Sequence, residues 1–284
     1  MADIIIALIA VILAPIVGGL ISGVDRKITA RLQSRFGPPI LQPFYDVFKL
    51  LGKTPMVINS WQVLCAYVYL AASMLCVFLF FMQSDLLLIF FVLTIGAVFL
   101  VMGALSTPNS PYSQIGAQRE LMQMLTYEPL LILVFVAIAM VTGSFKVSDA
   151  LAYPKPLLTQ LPLIFIVLGY ALTIKLRKSP FDISASHHAH QEIVRGVLTE
   201  YSGPFLALIE IAHWYEVIFV LALCGLFWAT NLFGMLVLLV ITYFLEIIVD
   251  NVSARMTWRW MLKGALSVGL VLSFINIVWV YTAG

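Results

Sequence analysis

Charge is scarce in this sequence: only 11% of its 284 residues are Asp, Glu, Lys or Arg, while 62% are hydrophobic. A soluble domain has about 25% charged and 45–50% apolar residues, so the composition excludes an ordinary soluble protein. Long apolar runs predict an all-α polytopic membrane protein. We expect one integral domain over residues 1–284, surrounded by membrane lipid and without a nucleic-acid partner.

Cysteine is also rare, and its spacing excludes a common class of cofactor. Cys65, Cys76 and Cys224 each lie within an apolar run, and none is part of a CxxC motif. Because iron–sulfur clusters need several clustered thiolates, we predict no cluster and no other cofactor in this chain. The three side chains are interpreted as structural thiols within helices.

The apolar runs have the length of membrane-spanning helices, which need about 20 residues each. We predict eight spans, at about residues 3–23, 61–82, 86–105, 128–143, 157–176, 204–228, 232–250 and 262–281.

The few positive charges lie mainly on one side of this arrangement. Segments 24–60, 106–127, 177–203 and 251–261, with the adjoining helix ends, hold fourteen of the sixteen Lys and Arg residues. The opposite side holds only Lys146 and Lys155. The positive-inside rule then predicts cytoplasmic charged segments and both termini outside.

The first charged segment, RFGPPILQPFYDVFKLLGKTP, predicts a short amphipathic helix that begins near Pro43. Apolar side chains recur at helical spacing at Leu41, Phe44, Tyr45, Phe48 and Leu51, while Asp46, Lys49 and Lys53 point elsewhere. About ten residues are too few to cross the membrane, so the helix should lie along the interface or roof a cavity. It is either a lipid-surface anchor or a place where Asp46 belongs to a polar site beneath a docked partner.

Ionisable side chains also occur inside two predicted spans. Glu210, His213 and Glu216 lie in the sixth span, and Glu246 and Asp250 lie one turn apart in the seventh. A charge at the bilayer centre costs about 2.5–3.5 kcal/mol or more, so such groups must pair, hydrate or stay protonated. One buried acid is equally compatible with a structural ion pair, but several together favour a proton relay.

The second charged segment carries further acids beside the fourth predicted span. Glu120 and Glu128 share one face of a predicted helix, and Arg119 lies on another. Glu128 precedes Pro129 at the predicted start of the span, where a helix N-terminus stabilises negative charge. Glu128 is therefore either part of the relay or a helix cap.

The segment SPFDISASHHAHQEIVRGVLTEYSG, residues 179–203, concentrates the remaining ionisable groups. Its three histidines could join Asp182 or Glu192 in a zinc site. Adjacent histidines seldom bind one metal together, so we predict no metal here. A contact surface for a cytoplasmic partner, or a titratable entry to the relay, is the preferred interpretation.

The charged segments contain three ordered motifs. The first motif comprises Arg35, Gly37, Pro38, LQPF, Asp46, Lys49 and Leu50. The second comprises Tyr112, Gly116, Ala117, Arg119, Gln123, Tyr127 and Glu128. The third comprises Pro180–Asp182, Glu192, Val194, Gly196 and Glu200–Gly203. Together they resemble the membrane-anchor family that includes subunit 1 of NADH dehydrogenase (complex I).

The sequence departs from the complex I form at three places. The first charged segment is several residues shorter after Gly37–Pro38. ISASHHAHQE replaces the acidic run that follows PFD, and Ala212, His213 and Trp214 replace AEY. The second change is similar to membrane-bound energy-converting hydrogenases. The chain most resembles the membrane-anchor subunit of group 4 NiFe hydrogenases, of which Ech hydrogenase is an example.

This resemblance implies a role without a redox centre in this chain. The cytoplasmic segments would dock a NiFe large subunit, a small subunit with a 4Fe–4S cluster and a ferredoxin-like subunit. Electrons from reduced ferredoxin would reduce protons to hydrogen, and an antiporter-like membrane subunit would move H⁺ or Na⁺. The location implied is a prokaryotic plasma (inner) membrane.

The resemblance also assigns roles to particular residues. It implies that Glu128, Glu192 and Glu200 couple the chemistry to ion movement, with Arg119 as counter-charge. Glu210, His213 and Glu216 are added because of their predicted burial. The predicted docking surface comprises Arg35, Asp46, Lys49, Asp182, His187, His188, His190 and Arg195.

Three other functions are weighed against this one. The first is the quinone-site subunit of a complex I-type enzyme. The second is an autonomous ion transporter, which the lack of an internal repeat disfavours. The third is a passive anchor with no part in coupling, which leaves the intramembrane acids unexplained.

Overall fold

The computed structural model describes residues 2–57, 59–181, 184–185 and 195–283, and over these ranges the chain is helical without a β-strand. The helices are α1 Ala2–Leu32, α2 Gln42–Leu51, α3 Ser60–Phe81, α4 Leu86–Leu105, α5 Pro111–Thr142, α6 Val147–Ala152, α7 Leu157–Gln160, α8 Pro162–Lys175, α9 Gly203–Gly225, α10 Leu232–Val252, α11 Trp258–Gly264 and α12 Leu270–Ala283. Tight turns occur at Gly196–Leu198 and Leu226–Trp228, and a wide turn at Ala265–Gly269 joins α11 to α12.

Within these ranges, seven helical segments are long and apolar enough to cross a membrane. They correspond to α1, α3, α4, α5, α9 with the turn that follows it, α10, and the α11–α12 unit. The prediction of an all-helical polytopic membrane protein is confirmed. The count of eight spans and the sides of the termini remain predictions.

The predicted fifth span, 157–176, is divided into α7 and α8. Pro162 lacks the N–H that would continue α7, and the chain bends at Leu161. The fully buried Asn276 of α12 supplies the missing partners: its Oδ1 accepts from Leu163 N and Ile164 N, each at 3.0 Å. At 14 residues, α8 is about 21 Å long, shorter than the hydrocarbon core.

The fourth predicted span, 128–143, is only the second half of α5. This helix has 32 residues and begins at Pro111, so most of the predicted loop 106–127 is helical. Pro129 lies inside α5, and the interpretation of Glu128 as a cap at a helix N-terminus is therefore wrong.

Two glycines permit the close backbone contacts on which the charged end of the bundle depends. A Cβ added at Gly18 of α1 would lie 2.7 Å from the carbonyl oxygen of Trp214, on α9. A Cβ at Gly116 of α5 would overlap the backbone nitrogen of Val197, in the Gly196–Leu198 turn. Both added atoms would lie well inside van der Waals contact, so only glycine lets these segments approach so closely.

We predict that Gly116→Val lowers the free energy of unfolding by about 1–3 kcal/mol or more, because the added atoms displace the Gly196–Leu198 turn. Gly169→Ala is the matched control, since a Cβ at Gly169 meets no other atom within 4 Å. Denaturant unfolding of the purified chain in detergent micelles measures both variants. Equal stability of Gly116→Val and the wild type would contradict the close contact.

Candidate functional site

A buried ion pair joins α8 to α9 in the centre of the bundle. Lys175, in the last turn of α8, places its Nζ 2.8 Å from Oε1 of Glu216 on α9, and the two side chains are 8% and 5% exposed. The same Nζ lies 3.5 Å from the Tyr127 hydroxyl and 5.2 Å from the centre of its ring. Pairing with a charge from another helix therefore offsets the free-energy cost of removing the Glu216 carboxylate from water.

A second ion pair joins α5 to the segment after α8. Nη2 of Arg177 lies 3.2 Å from Oε1 of Glu120, whose other carboxylate oxygen accepts from the Ser184 hydroxyl. Burial is the largest single influence on the pKa of the Arg177 guanidinium and lowers it, but Glu120, Tyr69 and the acids Glu216 and Glu210 together raise the pKa above its usual value. Arg177 is therefore a permanent positive charge at this position.

A small polar cavity of about 10 Å³, space for a single water molecule, separates the two ion pairs. Glu120, Arg177, Lys175 and Glu216 all line it, and Tyr69 lies on its wall. Gln123 closes one side, with its amide nitrogen 2.5 Å from the carbonyl oxygen of Phe181. The four charged groups thus form one connected cluster, which we call the buried charge cluster.

A much larger cleft of about 450 Å³ opens at the end of the bundle where the charged segments lie. Its walls come from α1, α2 and the first half of α9. The charged and titratable residues that line the cleft are Asp25, Arg26, Asp46, Lys49, Lys53, Arg195, Glu210 and His213. The mixture of both signs suits a site that exchanges protons or receives a charged surface.

His213 connects the cleft to the buried charge cluster. It lines the cleft, and its Nδ1 lies 3.8 Å from Oε2 of Glu216, one helical turn further along α9. This distance is too long for a hydrogen bond, and Nδ1 has no other hydrogen-bond partner. The gap is short enough for a small side-chain rotation to close. Glu210 lies one turn before His213, so the three predicted residues follow one face of α9.

The short helix α2 roofs this cleft, and the predicted helix near Pro43 is confirmed. Only part of the predicted apolar face of α2 is buried. Phe44 packs on Trp214 with ring centres 5.2 Å apart, and Val47 is buried beside them. Tyr45 and Phe48, predicted on the same face as Phe44, are exposed. Packing on α9 determines which apolar residues of α2 are covered.

The predicted docking residues in the described ranges lie around or beyond the cleft. Asp46 accepts from Arg26 Nη1 and Gln42 Nε2, both at 3.0 Å. Lys49 and Arg195 are exposed on its rim. Arg35 is exposed after the end of α1 and donates to Gln33, so it lies outside the cleft.

The other predicted coupling residues are not in direct contact with the cleft. Glu200 accepts from the Ser110 hydroxyl at 2.5 Å, between the Gly196–Leu198 turn and α9. Glu128 is half-buried, with Oε1 unpartnered and Lys175 acting on it electrostatically. Arg119 is half-buried on α5. The predicted residues Asp182, His187, His188, His190 and Glu192 lie outside the described residues.

Of the four members of the buried charge cluster, only Glu216 was predicted from the sequence. Lys175 and Arg177 were counted among the charges of a cytoplasmic segment, and Glu120 was assigned no role. Their burial follows from the packing of α8 against α5 and α9.

Across the described part of the chain, His, Cys, Asp and Glu side chains form no group of three able to hold a metal ion. All three cysteines are buried free thiols.

The helices and this site define an integral membrane protein with a charged network inside its helical bundle. The profile of the NADH dehydrogenase family matches residues 4–281, and the chain therefore belongs to this family, which includes subunit 1 of complex I. The family assignment made from the three motifs is confirmed.

Individual relatives come from two groups. Hydrogenase-4 component C of Escherichia coli (strain K12) is 33% identical over 219 residues, covering 71% of this chain and 66% of that protein. Formate hydrogenlyase subunit 4 of the same strain is 32% identical, covering 66% and 65%. An NADH-quinone oxidoreductase subunit of Rubrobacter xylanophilus is 35% identical, covering 66% and 62%. The chain thus matches slightly less than two thirds of the length of these relatives.

A solved structure supports the fold. A chain of the membrane-bound sulfane sulfur reductase, an archaeal respiratory membrane complex, superposes with a TM-score of 0.86. It is 24% identical, and the match covers 99% of this chain and 100% of that one. The arrangement of helices is therefore shared over essentially the whole chain.

We predict that Lys175→Met lowers the free energy of unfolding by about 3–5 kcal/mol, because it leaves the Glu216 carboxylate buried without its partner. The double variant Lys175→Met/Glu216→Met should recover most of this loss. Arg26→Met is the control: its pair with Asp46 is about half exposed, so the loss should be about 0–1 kcal/mol. Unfolding in detergent micelles measures the series, and a double variant as unstable as Lys175→Met would contradict the pairing argument.

Proposed function

We propose that this chain is the membrane-anchor and coupling subunit of an energy-converting NiFe hydrogenase. Its cytoplasmic face docks the soluble redox arm, and its buried charges link ferredoxin-dependent hydrogen evolution to translocation of H⁺ or Na⁺. The chain holds no redox centre in this proposal; the NiFe centre and the 4Fe–4S clusters belong to the partner subunits. The alternative is the quinone-site subunit of a complex I-type NADH dehydrogenase.

One observation carries the coupling role: a connected series of titratable groups runs from the open cleft into the bundle. Glu210 and His213 line the cleft, His213 faces Glu216, and Glu216 pairs with Lys175. A purely structural ion pair has no need of a titratable neighbour that reaches solvent. A change of charge at the cleft therefore has a physical route to the centre of the membrane domain.

The proposed step is electrostatic and moves one proton. When the redox arm above the cleft changes charge, the proton affinity of His213 changes with it. His213 binds a proton from the cleft and shields Glu216, which weakens the hold of Glu216 on Lys175. Release of that proton restores the pair. The Lys175 ammonium then acts on Glu128 and, beyond it, on a neighbouring antiporter-like subunit.

The hydrogenase branch is favoured by two kinds of support. Hydrogenase-4 component C and formate hydrogenlyase subunit 4 are among the relatives. The sequence also has His213 and the ISASHHAHQE run where the complex I form has acids. The predicted partners are a NiFe large subunit, an iron–sulfur small subunit, a ferredoxin-like subunit and an antiporter-like membrane subunit.

The proposed topology has eight crossings with both termini outside, in a prokaryotic plasma membrane. In this arrangement α7 and α8 together make the fifth crossing, with the bend at Leu161–Pro162 inside the membrane. Asn276 satisfies the backbone groups that the bend frees, which is the condition for irregular backbone at membrane depth.

The size of the cleft and the names of several relatives support the quinone alternative. The cleft is large enough for a cyclic headgroup, and several relatives are named as subunits of NADH-quinone oxidoreductase. Its walls are dominated by charged side chains, whereas pockets for small apolar ligands are mostly hydrophobic. This composition favours a contact between protein surfaces over a quinone site.

We predict that Lys175→Met/Glu216→Met, which removes both buried charges together, leaves hydrogen evolution from reduced ferredoxin near the wild-type rate in the assembled complex and reduces the ion gradient formed in vesicles by at least about tenfold. Glu128→Gln, Glu192→Gln and Glu200→Gln should lower the gradient in the same direction. Asp149→Asn is the control, since Asp149 is exposed on the short helix α6, outside the charged network. A passive anchor predicts an undiminished gradient in all of these variants.

We also predict that the purified complex evolves hydrogen with reduced ferredoxin and that added quinone or a quinone-site inhibitor leaves the rate unchanged. Hydrogen evolution and the oxidation of reduced ferredoxin are measured in the same sample. Electron transfer to quinone without hydrogen evolution would support the complex I alternative.

Liposomes that contain this chain alone should show no ion flux, and sustained flux would instead indicate an autonomous transporter.

A further inference from the structure

A second group of buried charges also borders the cleft, apart from the buried charge cluster. Nζ of Lys178 lies 2.9 Å from Oδ2 of Asp25 on α1, and their side chains are 7% and 21% exposed. The Tyr243 hydroxyl of α10 donates to the same Asp25 oxygen at 3.1 Å. Asp25 also lines the cleft, so this pair has one end open to solvent.

Glu246 is the unexplained member of this group. It is 6% exposed on α10, and its Oε2 has no hydrogen-bond partner. It lies three residues after Tyr243, over whose ring Lys178 Nζ is placed at 4.8 Å from the centre. Glu246 therefore lies on the face of α10 beside Lys178. It lines neither the cleft nor the cavity between the two ion pairs described above.

The charged and titratable groups around Glu246 leave it without a full counter-charge. Lys178 is already paired with Asp25, and Asp250 adds a second negative charge one turn further along α10. The Thr173 hydroxyl of α8 and the Cys224 thiol of α9 are the other polar groups near Glu246. Asp250 has a donor of its own, the Ser179 N–H at 2.8 Å, but an ionised Glu246, only 6% exposed, would add a third carboxylate around the Lys178 ammonium. Protonation removes that cost.

We propose that Glu246 is a second proton-binding site of this protein, filled from the cleft by way of Asp25. In the exchange, the Asp25 carboxylate takes one proton from the cleft and passes it inward to the Glu246 carboxylate, while Lys178, paired with Asp25, keeps its proton. The net change is one proton taken from the cleft and bound on Glu246, with Lys178 and Asp25 unchanged. The reverse sequence returns the proton to the cleft.

The site is selective for a proton over a metal cation. A Na⁺ ion at Glu246 would retain its charge beside the Lys178 ammonium, whereas a bound proton neutralises the carboxylate. The hydroxyls of Thr173 and Thr242 both donate to carbonyl oxygens of their own helices, at 3.0 and 2.8 Å, so these protons do not stabilise an ionised Glu246. The proton-binding site stands without the hydrogenase proposal; only its use in coupling rests on the proposed function.

Infrared difference spectroscopy of the purified complex between two pH values tests the site directly. We expect an absorption band from a buried neutral carboxylic acid, which Glu246→Gln removes and which Glu246→Asp retains at a shifted position. Asp149→Asn is the control and should leave the band intact, because Asp149 is exposed and lies outside this group. A full band in Glu246→Gln would overturn the proposal.

The route is tested with Asp25→Glu, which keeps the negative charge beside Lys178 and moves the relaying carboxylate by one methylene. We expect the carboxylic band to persist, because Lys178 remains paired, while its exchange with D₂O slows by at least about tenfold. Exchange at the wild-type rate would overturn the route through Asp25. Displacement of the band by Na⁺ at constant pH would overturn the selectivity for a proton. Since Asp25→Glu leaves Glu246 itself unchanged, this measurement decides even if Glu246→Gln does not assemble.

Measurement of the ion gradient distinguishes proton binding at Glu246 from a role of that proton in coupling. A smaller gradient in Glu246→Gln, with hydrogen evolution retained, is the result expected if the bound proton takes part in coupling. A lost band with an undiminished gradient would overturn that use and leave the binding site standing. If the complex evolves no hydrogen at all, the proposed function fails, and the infrared result is unaffected.

Discussion

The ion pair between Lys175 and Glu216 is the interaction on which the rest of the site depends. Two opposite charges are removed from water at a cost of several kcal/mol each, and only a short distance and further polar contacts offset that cost. The 2.8 Å separation and the adjacent Tyr127 hydroxyl provide these conditions. Because neither charge is stable there without the other, α8 and α9 must pack at one relative position.

That position in turn organises the groups around it. The segment that leaves α8 carries Arg177 to Glu120 on α5 and Lys178 to Asp25 on α1, so neighbouring cations reach three different helices. One short stretch of chain therefore supplies the cations for three separate acids. Neutral substitution within this stretch affects several helix contacts together, which makes it the electrostatic centre of the bundle.

The cleft gives these buried charges access to water. Small residues on α1 and α5 let α9 and the Gly196–Leu198 turn approach closely, and α2 covers the opening. His213 leads from the cleft to Glu216, while Asp25 leads to Lys178. Two buried acids on different helices, Glu216 and Glu246, thus lie behind one shared entrance. This arrangement suits a protein that responds to the charge of a partner docked above it.

Composition and apolar periodicity were sufficient to predict the membrane class, most helix positions, the short helix α2 and the acids of α9. The reason is that insertion into lipid is governed by local properties: apolar length, helical hydrogen bonding and the cost of each charge. The three motifs were sufficient for the family. The break at Leu161–Pro162 and the long α5 were not predicted, because a proline inside a helix and one at its start look alike in sequence.

The partners of the acids were decided by tertiary structure alone. Lys175, Arg177 and Lys178 follow an apolar run as topology-setting cations do, and their spacing contains no sign that each turns inward. Glu246 and Glu216 are likewise indistinguishable as acids in apolar helices, yet one is paired and the other is not. Sequence determined that costly charges lie within the membrane domain. Which of them neutralise one another depends on distances between helices far apart in the chain, and these exist only once the bundle has packed.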